Sequence, residues 1–236
     1  MKAIVVMDQA AGAAGAKLME RPEPQAAIND VVVQVHASGF TWDELTWPST
    51  WTDRLGRDRT PSIPGHELAG VVTALGYGTT GLSIGQRVFG LTDWYRDGTV
   101  AEYVAVEARN LTPLPGDVDF TVGAALVMPG LTAWQGLFEH GRLRAGQSVL
   151  VHGAASAVGS MATQLAREAG AYVIGAGRAS LGPVMVTSVP PARIRPADRF
   201  AMSPPMTSKT RSTPPTSSNA SFSRSTNSCA PKSRAV

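Results

Sequence analysis

The chain has 236 residues, 43% of them hydrophobic, and a formal net charge of +3, which is enough for one large or two small domains with an apolar core. No stretch approaches the roughly eighteen apolar residues of a membrane-spanning helix, and the N-terminal segment lacks the apolar region of a secretory signal. The apolar pattern therefore excludes a protein with a membrane-spanning helix and predicts a cytoplasmic location.

The charge is unevenly distributed. Residues 181–236 contain eight basic residues and one acid, Asp198, for a net +7, whereas residues 1–180 carry 13 basic and 17 acidic residues, for a net −4. The basic tail has neither a structured face nor interleaved aromatics, so no nucleic-acid partner is predicted. Cys229 is the single cysteine, which excludes an internal disulfide and a cysteine-built metal site.

Apolar patterning predicts several strands in the first half of the chain. The predicted strands cover residues 2–7, 30–37 and 87–91. Between them, Trp42, Trp47 and Trp51 lie in a polar segment that contains a proline. Such tryptophans either plug the core or line an apolar pocket for a flat substrate, and their spacing slightly favours the plug.

Residues 117–140 follow the β-rich part. Their apolar spacing predicts two short helices divided by Pro129 and Gly130, because proline removes a backbone donor and clashes with the preceding turn. We expect these helices to pack where two domains meet.

The segment 148–160, SVLVHGAASAVGS, predicts a nucleotide site. A short buried strand at 149–152 leads through small residues into a helix beginning near Val158, and a second strand follows at 171–175. Small side chains let a backbone approach a pyrophosphate, and the free N–H groups of a helix start attract it. The whole pattern predicts a βαβ unit with a dinucleotide at its turn.

The end of the second strand predicts which nucleotide binds. An NAD site usually has an acid there for the ribose 2′-hydroxyl; here that position is Gly177, and Arg178 follows. Because arginine can hold a 2′-phosphate, NADP(H) is favoured over NAD, although Arg178 could instead be a solvated surface residue. The loop also departs from GxGxxG, since Ala154 and Ser156 stand at the first two glycine positions before Gly159; Ser156 would either donate a hydrogen bond to the phosphate or crowd it.

Several motifs in register resemble the medium-chain dehydrogenase/reductase superfamily. They are GHELAGVV (65–72), VQVHASGFTWDEL before it, DGTVAEYVAVEARN after it, and then GLTAWQGLFEHGRL, SVLVHGAASAVGS and QLAREAGAYVIGAGR. The resemblance covers residues 1–180 and is greatest to the zinc-independent, NADP-dependent quinone oxidoreductase-like branch. It implies an α/β fold with a β-rich part: a GroES-like catalytic domain at 1–116 and the start of a Rossmann-type dinucleotide-binding domain at 117–180.

The resemblance also implies site residues. Zinc-dependent members hold a catalytic metal where this chain has Thr41 and the stretch LVMPGL (126–131), and these cannot replace two metal ligands. No metal is therefore predicted. The expected substrate-pocket residues are Thr41, Trp42, Asp43 and His66. The expected cofactor-binding residues are Thr132, which the resemblance puts near the nicotinamide, and Ala154, Ser156, Ala157, Val158, Gly159, Gly177 and Arg178.

The resemblance stops after Ser180. The 56 residues that follow contain 17 Ser and Thr and nine Pro, which predicts a disordered or aberrant tail. Either the tail is natural, or it is an out-of-frame or antisense reading of the gene, the interpretation we favour.

The predicted function is that of a truncated NADP(H)-dependent oxidoreductase. The intact relative would transfer hydride to a quinone or an enone-type small molecule and could be a homodimer. Two alternatives remain: a non-enzymatic GroES-like fragment that binds no cofactor, and a zinc alcohol dehydrogenase, which the missing ligands disfavour.

Overall fold

A computed structural model describes residues 1–179 and 182–186 of the chain. The described residues all belong to one compact unit, Met1–Arg193; the predicted division at residues 116 and 117 stays a prediction. The strands are β1 (Lys2–Val5), β2 (Lys17–Glu20), β3 (Asp30–Gly39), β4 (Glu67–Leu75), β5 (Arg87–Leu91), β6 (Tyr103–Glu107), β7 (Leu111–Pro113), β8 (Ser148–His152), β9 (Tyr172–Ala179) and β10 (Gly182–Val186). The α-helices are α1 (Pro48–Trp51), α2 (Phe120–Trp134) and α3 (Ala157–Glu168).

A five-stranded sheet with the order β6-β3-β4-β5-β7 forms the body of the β-rich part, and all of its pairings are antiparallel. Strands β5 and β6 alternate fully buried and half-buried side chains, as expected for a sheet with one face on a core, whereas the first four residues of β3 and of β4 are all buried. The core beneath it consists mainly of β-branched residues, namely Val31, Val33, Leu68, Val72, Val88, Val104 and Val106. The strands predicted at 30–37 and 87–91 are confirmed as β3 and β5, and β1, which pairs with β2, confirms the strand predicted at 2–7.

The tryptophan-rich segment folds over this β-rich part. A 3₁₀ helix, Trp42–Thr46, leads directly into α1. Trp51 is buried with Val6 and Leu45, and its indole N–H donates to the Leu45 carbonyl oxygen at 2.9 Å. The plug interpretation is therefore confirmed for Trp51; Trp47 has a different environment, described below.

Helix α2 corrects one prediction. Instead of two helices divided at Pro129, the chain forms one helix from Phe120 to Trp134, followed by a π-helical turn, Gln135–His140. Ala124 packs in a cluster with the β-rich part, whereas Ala133 packs in the core of the following βαβ unit. Packing of both ends holds the helix together across a proline that costs about 3 kcal/mol in a helix interior.

The βαβ unit agrees with the sequence prediction. Strands β8 and β9 are parallel, and α3 connects them. The apolar face of α3 packs through Ala162 and Ala166 onto Val151 and Val173 of the two strands. Gly170, with φ of +77°, follows the end of α3 and lets the chain turn into β9. The opening of a Rossmann-type unit is thus present.

Strand β10 was missed by the sequence analysis. It pairs antiparallel with β9, giving a three-stranded sheet with the order β10-β9-β8. Strand β10 lies at the start of the segment predicted as a tail, in the one short apolar run of that segment. The run forms a strand because the outer edge of β9 offers it unpaired backbone groups. The rest of the predicted tail, residue 181 and residues 187–236, lies outside the described residues. No helix in the described part of the chain is long and apolar enough to cross a bilayer.

Candidate functional site

His66 lies at the centre of the first candidate site, immediately before β4. Its side chain is 3% exposed. Its Nδ1 lies 3.1 Å from Thr92 Oγ1, within hydrogen-bonding distance, and its Nε2 lies 3.8 Å from Glu44 Oε2. Both ring nitrogens thus face polar protein atoms, as buried polar groups require.

His66 is uncharged in this site near neutral pH. The pKa of His66 is lowered to about 4; burial is the main cause, the nearby Arg59 guanidinium also lowers the pKa, and Asp93 opposes both. The loss of hydration outweighs the attraction of the acid, as is usual for a buried imidazole. His66 can therefore offer a hydrogen bond but no positive charge.

Glu44 is a site residue that the sequence analysis missed. Its side chain is fully buried and accepts the N–H of Thr41 and the N–H of Gly65, each at 3.1 Å. These bonds tie the 3₁₀ helix to the start of β4, beside His66. Burial raises the pKa of Glu44, the two backbone N–H groups counteract this, and the negative charge of Glu67 adds to the rise. The pattern Thr-x-x-Glu at residues 41–44 is a capping box and could have identified Glu44.

Two tryptophans wall the site. The Trp47 ring stacks on the His66 ring, with centroids 5.8 Å apart and planes at 13°. Trp94 meets the His66 ring at 4.7 Å and the Trp47 ring at 5.2 Å, edge-on in both cases. Trp94 remains 37% exposed, so the wall has an open side. Trp47 thus belongs to an aromatic cluster with His66 and Trp94, the pocket interpretation of Trp47 stays a prediction, and Trp94 is a residue of the cluster that the sequence did not reveal.

The predicted pocket residues are only partly brought together. Thr41 is connected to His66 through Glu44, but its side chain is exposed. Asp43 is also exposed, and its carbonyl oxygen accepts the Thr46 hydroxyl at 2.7 Å. The backbone of Trp42 begins the 3₁₀ helix, while its side chain lies outside the described atoms. Among the residues that the structure describes, no three acidic, histidine or cysteine side chains form a group that could hold a metal ion.

The second candidate site is the turn between β8 and α3. Gly153 has φ of +71°, and Gly159 lies so close to its carbonyl oxygen that any side chain at 159 would overlap it. Ser156 is the N-cap of α3, and its Oγ accepts the Gly159 N–H at 3.1 Å. Because that oxygen is used as an acceptor, the hydroxyl proton is free to point away from the helix. Ser156 is thus the N-cap of the helix, and both alternatives left by the sequence, donation to the phosphate or crowding of it, stay predictions.

This turn fits the pyrophosphate of a dinucleotide. Within the described residues, the N–H groups of Ala157 and Val158 have no hydrogen-bond acceptor, as expected in the first turn of a helix. Gly177 faces the turn from β9, and a side chain there would come within 4 Å of the backbone nitrogens of Ala154 and Ala155. The carboxyl ends of the parallel strands β8 and β9 thus carry free backbone donors, at the place where such sheets bind ligands.

The remaining predicted cofactor residues lie on neighbouring elements. Thr132 is exposed on the C-terminal half of α2. Arg178 is in β9, one residue beyond Gly177, and its side chain is outside the described atoms. The fold and the two sites together define a GroES-like β domain joined to the opening of a dinucleotide-binding fold.

Comparisons with known proteins agree with this class. Residues 27–116 match the family described as "Alcohol dehydrogenase GroES-like domain". The chain is 39% identical to the quinone oxidoreductase of Rattus norvegicus over 166 residues. This match covers 70% of this chain and 48% of that protein. Its structure is similar to the quinone oxidoreductase from Coxiella burnetii, with a TM-score of 0.66, 28% identity, and coverage of 74% of this chain and 56% of that one. The structure is also similar to an alcohol dehydrogenase superfamily protein from Novosphingobium aromaticivorans, with a TM-score of 0.68 and 33% identity; the match covers 76% of this chain and 54% of that one.

The chain belongs to the medium-chain dehydrogenase/reductase superfamily, in its quinone oxidoreductase-like branch. It spans about half the length of the curated relatives it matches.

Proposed function

We propose that this chain carries the substrate-side domain and the pyrophosphate-binding turn of a zinc-independent, NADP(H)-dependent oxidoreductase, which reduces a quinone or an activated carbon–carbon double bond. The turn between β8 and α3 is the observation that carries this proposal. Free N–H groups at Ala157 and Val158, backed by the close approach of Gly153 and Gly159, would bind the pyrophosphate of the cofactor.

The preference for NADP(H) rests on two neighbouring positions at the end of β9. Gly177 stands where an acid would otherwise repel a 2′-phosphate, and Arg178 follows it. Because an arginine can make paired, charge-assisted hydrogen bonds to a phosphate, it favours the phosphorylated nucleotide.

The proposal of zinc independence rests on the donors around His66. Thr92, Glu44 and the two tryptophans surround its ring, and Thr41 occupies the position of a metal-binding cysteine. Hydroxyl groups and indoles are poor ligands for Zn²⁺, and both oxygens of the Glu44 carboxylate already accept backbone N–H groups, which leaves His66 without a full set of ligands. The neutral imidazole therefore serves as a wall and hydrogen-bonding group of the substrate pocket.

When bound, the nicotinamide supplies the hydride. The residues of this chain would hold the acceptor and keep water away from it. The flat surfaces of Trp47 and Trp94 suit a planar, conjugated acceptor, and the exposed edge of Trp94 gives access to it. Apolar tryptophan side chains next to a neutral His66 would favour hydride transfer, because they would exclude water and hold the acceptor at contact distance from the nicotinamide.

Cofactor binding is tested by thermal unfolding of the full chain with NADPH or NADH. Saturation to about 100 times the dissociation constant should stabilise the chain by about 2.7 kcal/mol. Arg178→Ala should weaken NADPH binding by roughly tenfold or more, the value of a lost charge-assisted hydrogen bond, and leave NADH binding unchanged. Arg167→Ala, in the last turn of α3, is the matched control and should change neither.

If millimolar NADPH leaves the unfolding temperature of the wild-type chain unchanged, the chain is a GroES-like fragment that binds no cofactor. If Arg178→Ala weakens NADH and NADPH equally, the NADP preference is wrong even though the dinucleotide site stands.

A further inference from the structure

Glu67 makes a contact that neither candidate site explains. It is the first residue of β4, is 5% exposed, and its Oε1 accepts the backbone N–H of Met128 at 2.7 Å. The two residues are 61 positions apart in sequence. A sheet carboxylate thus binds a backbone donor in the middle of α2. Burial raises the pKa of Glu67, and the Met128 N–H opposes that rise.

The surroundings of Glu67 are shaped for this contact. Its carboxylate lies against Gly39 of β3, where any side chain would overlap it. On the helix side, Met128 immediately precedes Pro129, which cannot donate to the backbone ladder. Prolines inside helices are positions where the ladder bends and outside groups insert. Gly39 and Pro129 therefore accommodate the Glu67 contact from opposite sides.

The contact lies between two separate packing regions of α2. Ala124 packs with the β-rich part, and Ala133 packs with the βαβ unit. Thr132 lies four residues after Met128, hence on the same face of the helix. Any shift or bend at Met128 is therefore passed directly to the turn that carries Thr132.

We propose that Glu67 is a positioning residue that fixes the Met128–Thr132 turn of α2 against the β-rich part, so that Thr132 is held at the nicotinamide end of the cofactor site. The assignment rests on the proposed function for its link to the cofactor. The contact itself is tested without any cofactor.

The first measurement is hydrogen exchange of the Met128 amide by NMR of the ¹⁵N-labelled full chain. Glu67→Met, which keeps the length but removes the acceptor, should accelerate Met128 exchange about tenfold or more relative to core amides such as Val33. Glu67→Gln keeps an acceptor oxygen and should restore exchange close to the wild-type rate. Glu44→Gln is the matched control, because Glu44 is a buried carboxylate bonded to Thr41 and Gly65 rather than to α2, and it should leave the Met128 ratio unchanged.

The second measurement is NADPH affinity from nucleotide fluorescence. Glu67→Met should weaken binding about tenfold, as expected for a misplaced contact turn, while Glu67→Gln should remain within about twofold of wild type. If Glu67→Gln exchanges as fast as Glu67→Met, or if Glu67→Met exchanges fast but binds NADPH normally, the positioning role is refuted. If the wild type itself does not bind NADPH, the proposed function fails, whereas accelerated Met128 exchange in Glu67→Met still supports the contact.

Discussion

Replacing His66 with asparagine removes a group that resists protonation in the folded protein. Burial lowers the pKa of His66 to about 4 from an ordinary value of 6.5. Unfolded chains therefore take up a proton on this residue at a higher pH than folded ones. The contribution of His66 is fully present above pH 6.5 and is lost as the pH falls towards 4.

The size of this loss follows from the two pKa values, since each tenfold difference in proton affinity is about 1.4 kcal/mol. The difference between 6.5 and about 4 gives a loss of about 2 kcal/mol at pH 5 and about 3 kcal/mol at pH 4. Glu44 and Glu67 act in the opposite direction, because burial raises the pKa of each and their protonation at low pH relieves a cost. Subtracting the variant from the wild type leaves the histidine contribution alone.

The assay is urea unfolding of wild type and His66→Asn at pH 7, 6, 5 and 4, followed by circular dichroism. Asparagine can keep the hydrogen bond to Thr92 near the position of Nδ1. The free energy of unfolding of the wild type should fall relative to the variant by about 3 kcal/mol between pH 7 and pH 4, and His66→Gln should repeat this trend. A wild-type minus variant difference that stays constant across this range would refute a neutral, desolvated His66.

Two further substitutions test the supports of the sites. Ser156→Ala should cost about 1 kcal/mol of unfolding free energy because α3 loses its N-cap, whereas Ser156→Thr should cost much less; equal losses in both variants would show that the hydroxyl does not cap. Arg96 bonds both oxygens of the buried Asp30, at 2.6 and 3.2 Å. Arg96→Met should therefore lower the free energy of unfolding by up to about 3 kcal/mol, because it leaves the buried Asp30 charge unpaired, while the partial exposure of Arg96 reduces the loss. Adding Asp30→Asn should recover part of the lost stability. A double variant less stable than Arg96→Met would contradict the unpaired-charge explanation.

Local sequence patterns were sufficient for the elements whose signals are local. The strand β8, the helix α3 and the strand β9 follow from apolar spacing and small residues, and the structure confirms all three. The break expected at Pro129 was wrong because the stability of α2 comes from packing at both of its ends, which no local pattern reveals.

The candidate site around His66 was only half visible in the sequence. The GHE motif identifies His66, and the Thr-x-x-Glu pattern would have added Glu44. Trp94 and Thr92 reach the same ring from 26 or more residues away along the chain, so no spacing argument could place them there. The lowered pKa of His66 likewise depends on burial, which arises only when those distant segments come together.

Strand β10 limits how the three-stranded sheet can grow. By pairing antiparallel with β9, it uses the backbone donors and acceptors along that margin. Among the described strands, β8 pairs with β9 alone, so the opposite margin keeps a row of unpaired groups beside the exposed side chain of Leu150. The other free edge belongs to β10, so a further strand that pairs directly with one of the two parallel strands can do so only next to β8.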